Sequence, residues 1–89
     1  MKHKTQTSMD AQKVAELMAP RLSEHEIEPI RDERGRGKHH ACWIVHAVIR
    51  GDVVGDQASR FICYAQGALV NQAIFTLDEV RDFNRKALL

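Results

Sequence analysis

With 89 residues, 44% of them hydrophobic and 28% charged, the chain suits one small folded domain rather than a disordered tail. No apolar run approaches the roughly 20 residues of a membrane-spanning helix, so no membrane association is expected. A net charge of +1 argues against a protein that coats nucleic acid with its whole surface, though a local basic patch stays open.

Residues 1–8 are polar, with Lys2 and Lys4 followed by no apolar segment. They read as a flexible N-terminal arm ahead of a single domain over 9–89, in a cytoplasmic protein. Ala11, Val14, Ala15, Leu17, Met18 and Leu22 then recur at the spacing of one helix face. Ser8 or Asp10 is placed to cap this helix, and Pro20 predicts a stop or kink near Ala19.

Glu26 to Arg31, with Pro29 inside it, has the composition of an edge strand. From His39 to Ile49 both alternating faces are largely apolar, which predicts a central strand interrupted on one face by His46. His46 reads there as a hydrogen-bonded, partly buried side chain. Arg50-Gly51-Asp52 spells an adhesion tripeptide, but beside Gly55-Asp56 it reads as part of a turn. Arg60 to Gln66 predicts a further strand. Ala68 to Phe75, set off by Gly67, reads as a fourth strand or a helix.

Thr76-Leu77-Asp78-Glu79 is a capping box, with Phe75 and Val80 as its hydrophobic staple, so a last helix begins at Leu77. The fold class expected from this order is α+β: a small two-layer domain. Its antiparallel sheet has three to four strands, and an N-terminal and a C-terminal helix lie on one face. The apolar outer edge of such a sheet, at Arg60 to Gln66 or Ala68 to Phe75, predicts a homodimer.

Cys42 and Cys63 each sit in an apolar run and read as buried free thiols. His39, His40, Cys42 and His46 raise the question of zinc. On a strand, however, His40 and His46 would lie ~20 Å apart, leaving at most His40, Cys42 and Cys63 to meet. That spacing matches no usual zinc module, and neither a metal nor a cofactor is implied.

The chemistry concentrates in one loop. Arg31, Arg34, Arg36, Lys38, His39 and His40 surround Gly35 and Gly37, whose bare backbone admits a close ligand. Arginine forks suit phosphate or carboxylate, while Asp32, Glu33 and the upstream Glu24, Glu26 and Glu28 are placed to neutralise them. These eight residues form the candidate binding site of a non-enzymatic adaptor or inhibitor that engages an acidic protein surface or nucleic acid. Gly37-Lys38-His39-His40, read between a helix with its strand and a further strand, resembles the Gly-x-His stretch of the small HicA toxin ribonucleases. That resemblance, confined to roughly a third of the chain, implies a ribonuclease using His39 or His40 as the alternative. The expected order of elements is also similar to double-stranded-RNA-binding domains, but Asp78 and Glu79 stand where those carry lysines.

Overall fold

In the computed structural model, which describes residues 10–88, the Asp10 carboxylate accepts the Lys13 amide at 3.2 Å and opens helix α1 (Ala11–Glu24). Its expected face is the buried one: Ala11, Val14, Ala15, Met18 and Leu22. The expected stop near Ala19 does not occur. Met18 and Leu22, both fully buried, hold the chain on the core before and after Pro20. The proline itself is exposed, so the hydrogen bond it forgoes lies on the solvent side.

The α+β expectation is overturned. Four helices form the domain, and no sheet exists among the described residues. The predicted edge strand at Glu26 to Arg31 is irregular connecting chain, and the predicted central strand is helix α2 (Lys38–Arg50). Its apolar character on every side has another cause: α1 packs on one flank and α3 (Gly55–Asn71) on the other. That third helix replaces the strand predicted over Arg60 to Gln66 and much of the segment after Gly67. Ala58, Ile62, Ala65, Gln66 and Leu69 are its buried face, in helical spacing. With no sheet there is no sheet edge, so the ground for expecting a homodimer lapses. The predicted arm over residues 1–8, with Ser8, lies outside the described residues.

The first three helices stop by one shared device. After α1, the Glu26 amide donates to the Ser23 carbonyl at 2.9 Å and the Ile27 amide to the Leu22 carbonyl at 3.1 Å. After α2, Gly51 donates to Val48 and Asp52 to Ala47; after α3, Ala73 donates to Val70 and Ile74 to Leu69. Each pair is a Schellman motif, which needs a left-handed residue at its turn. Gly51 takes that conformation freely at φ +81°, whereas Glu26 and Ala73 adopt φ 59° and 61° with side chains attached. Buried Ile27, packing in the same core as buried Leu22, offsets the strain in the first case. Arg50-Gly51-Asp52 is thus a helix end, with Arg50 paired to Asp52 at 3.0 Å.

The capping box is present as read. Thr76 Oγ1 accepts the Glu79 amide at 3.1 Å, and the Glu79 carboxylate accepts the Thr76 amide at 2.8 Å, starting α4 (Leu77–Lys86). Glu79 also accepts from the Arg21 guanidinium at 2.6 Å, so the cap fastens α4 to α1. Phe75 packs edge-on against Phe83 beneath it, at 5.2 Å between ring centroids.

Replacing Ala73 by glycine removes a left-handed penalty of about 1–2 kcal/mol and adds unfolded-chain entropy worth about 0.5–1 kcal/mol. Ala73→Gly is therefore expected to raise the urea midpoint, by about 0.5–1 kcal/mol of stability. A lowered midpoint contradicts the assignment of this turn. The Thr76 amide, then Arg21, hold the Glu79 carboxyl below its ordinary range. The charged form is favoured by folding, so its contribution is complete above the unfolded value and is lost as pH falls through the folded one. In urea unfolding across the acid side of the carboxylate range, wild type should lose more stability than Glu79→Gln. Equal losses would remove Glu79 from the acid response.

Candidate functional site

Asp32 shapes the cationic loop from its centre. One carboxylate oxygen accepts both the Arg34 amide at 3.0 Å and the Arg36 amide at 3.1 Å, and the Asp32 carbonyl accepts the Gly35 amide at 3.0 Å. Gly35 and Gly37 sit at φ +71° and +95°, a region that strains any side chain. From α3, the Tyr64 hydroxyl donates to the Gly35 carbonyl and pins the loop to the helical body.

The Asp32 amide donates to His40 Nδ1 at 3.0 Å. An amide only donates, so Nδ1 carries the lone pair and the proton of the neutral ring is at Nε2. His40 is 9% exposed and stacks on Trp43, with centroids 5.5 Å apart and ring planes 20° apart. The Arg31 guanidinium lies 5.4 Å from the centre of the Trp43 ring. His39 has the opposite tautomer: its Nδ1 faces the Glu28 carbonyl at 3.1 Å and must donate to it.

All eight expected site residues therefore belong to one loop and the helix start it feeds, with divided roles. Arg34, Arg36 and Lys38 are exposed, whereas Arg31 is engaged with Trp43 and His40 is turned inward. Among the described residues none of these four cations forms an ion pair, although Arg21, Arg50, Arg81, Arg85 and Lys86 all do. The expected neutralisers are used elsewhere in two cases: Asp32 on backbone amides, Glu24 on Arg21.

The sequence reading did not single out an aromatic cleft beside the loop. Between α2 and α3, His40, Trp43, Ile44, Phe61 and Tyr64 line a cleft of about 250 Å³. Tyr64 also borders a wider trough of about 460 Å³ that Arg36, Asn71 and Gln72 help to line. Arg60 stands one turn before Tyr64 on α3 and is exposed. The signal was available as pairs at i and i+3, His40 with Trp43 and Phe61 with Tyr64, but only to a helical reading.

The cysteines differ from expectation. Cys42 is buried, donates to the Ile27 carbonyl, and has its thiol pushed up to about 11 by burial. Cys63 is exposed, because it points off the outer side of α3 rather than into a sheet. Among the described residues no three His, Cys, Asp or Glu side chains come together as a metal site would require. No helix there is long and apolar enough to cross a membrane. No family model, curated protein or solved structure matches this chain. Among the described residues, the flanking strands on which the ribonuclease resemblance depended are absent, as is the sheet of a double-stranded-RNA-binding domain.

Long-range ¹⁵N–¹H NMR at neutral to mildly alkaline pH should show His40 protonated at Nε2 and bare at Nδ1, with His39 reversed. Nδ1–H on His40 would break the Asp32 link and the loop geometry built on it.

Proposed function

We propose that the chain is a small non-enzymatic binding module that engages an anionic partner through the Arg34 to His40 loop. The observation that supports this most directly is the set Arg34, Arg36 and Lys38: exposed, unpaired among the described residues, and carried on a backbone held by Asp32 and Tyr64. A loop already fixed loses little entropy on binding, so its charge goes into attraction rather than ordering. The ribonuclease alternative has less support. His40 is buried with Nδ1 occupied, and among the described residues no carboxylate or nucleophile is hydrogen-bonded to either histidine.

Two labelled probes test the reading by fluorescence anisotropy: a polyglutamate peptide and heparin. At least one should bind, with affinity falling steeply between roughly 50 and 200 mM salt as counterions are released. Arg34→Ala with Arg36→Ala should weaken it by about tenfold or more, the equivalent of about 1.4 kcal/mol. Salt-insensitive binding, or binding that ignores both substitutions, removes the loop from the function. RNA incubated with wild-type protein should remain intact; cutting that disappears in His39→Ala or His40→Ala would establish the enzyme instead.

A further inference from the structure

We infer that the cleft between α2 and α3 receives one unpaired nucleobase of a single-stranded nucleic acid whose phosphates run over the Arg34 to Lys38 loop. This deepens the anion-binding reading of the loop and rests on it.

The lining carries the first part of the case. Of the five residues around the cleft, only Ile44 lacks a ring; the others are His40, Trp43, Phe61 and Tyr64. At about 250 Å³ the space falls below the roughly 300–1,000 Å³ of pockets for drug-sized ligands and suits one planar ring system. Aromatic walls accept any base, because every base has a π-face.

His40 carries the second part. Its ring is 9% exposed, its Nδ1 is taken by Asp32, and its Nε2–H has no hydrogen-bond partner among the described residues. His40 also lines the cleft, so a ligand there that brings an acceptor can pair this donor. Gly35 of the loop lies beside that edge: a Cβ at this position would sit 3.8 Å from Nε2, in ordinary van der Waals contact. Base edges carry neutral ring nitrogens and carbonyls that accept such a bond. A leucine or phenylalanine anchor from a protein partner would leave it unmade, and a carboxylate would lose its hydration among aromatic walls.

Continuity with the charge carries the third. Tyr64 lines the cleft, holds the Gly35 carbonyl, and borders the trough shared with Arg36. A base in the cleft thus leaves its sugar–phosphate chain beside Arg36, with Arg34 and Lys38 next along the loop and Arg60 on the adjoining helix. Paired bases are stacked inside a duplex and cannot enter.

Trp43 is the only tryptophan, so its emission reports the cleft without any substitution. Wild-type protein is titrated with a mixed-sequence RNA strand of about ten nucleotides, its DNA counterpart, the blunt duplex, and heparin. A single strand, of RNA or DNA, should quench Trp43 saturably and bind at least tenfold more tightly than the duplex, whereas heparin should bind with little quenching. Phe61→Leu, with folding checked by circular dichroism, should weaken strand binding about fivefold or more and leave heparin binding unchanged. If strand and heparin both bind, and both weaken in Arg34→Ala with Arg36→Ala, yet Trp43 emission does not respond or the duplex binds equally well, the cleft inference falls alone. It also falls alone if a phenylalanine-bearing polyglutamate peptide displaces the strand and quenches Trp43 more strongly. If neither polyanion nor peptide binds, the cleft inference and the reading of the loop fall together.

Discussion

Small side chains let α1 and α3 approach α2 from two sides, and the position of every other part follows from that packing. Ala11 and Ala15 on α1, Ala41 on α2, and Ala58 and Ala65 on α3 are all buried, so the larger Val14, Val45, Val48, Ile62 and Leu69 interlock at close range. Gln12 of α1 reaches the Ile49 carbonyl at 2.9 Å, which fixes the start of α1 beside the end of α2. The antiparallel pair sets the end of α1 beside the start of α2, and residues 25–37 bridge those two ends. The cationic loop is the last part of this connection. It is placed by the distance between two helix ends, and one turn at Asp32 bends it into α2.

That arrangement explains why the loop was legible and the cleft was not. A cluster of arginines between glycines can be read without knowing what flanks it. The cleft depends on the type of the flanking elements: His40 and Trp43, three residues apart, share a helix face but would point to opposite sides of a strand. Phe61 and Tyr64 behave alike. Reading α2 as a strand therefore disperses the aromatic group. The misreading has a physical cause, since α1 and α3 bury most of α2 and its less buried face is marked only by His39, Trp43, His46 and Ile49, of which two are apolar and blur the helical period. Gly37 and Gly51, bracketing a run that ends in Arg50, are the available signs of a helix with a start and a stop. In α3, Gly67 reads as a break between strands, yet a helix bears an exposed glycine at about 1 kcal/mol when Ile62, Ala65, Gln66 and Leu69 are buried around it. The last helix is legible because a capping box and its staple are local, complete within six residues and independent of the tertiary fold.

The start of α2 breaks a rule that the start of α4 obeys. Helix N-termini favour acidic residues and a side-chain cap, and α4 has Thr76, Asp78 and Glu79 there. Helix α2 begins at Gly37, which offers no capping side chain, and its first turn holds Lys38, His39 and His40 with no acid. The positive end of the helix dipole and the exposed cations thus add to one another. Asp32, the nearest carboxylate to bond this loop, faces the Arg34 and Arg36 amides and gives the turn its shape. A domain this small has little stability to lose, and local conflicts of this kind concentrate where binding needs them. The uncompensated charge at the head of α2 is the cost that a negative ligand would remove. It lies beside a cleft lined by four ring-bearing side chains and Ile44, so charge and shape meet on the same few residues.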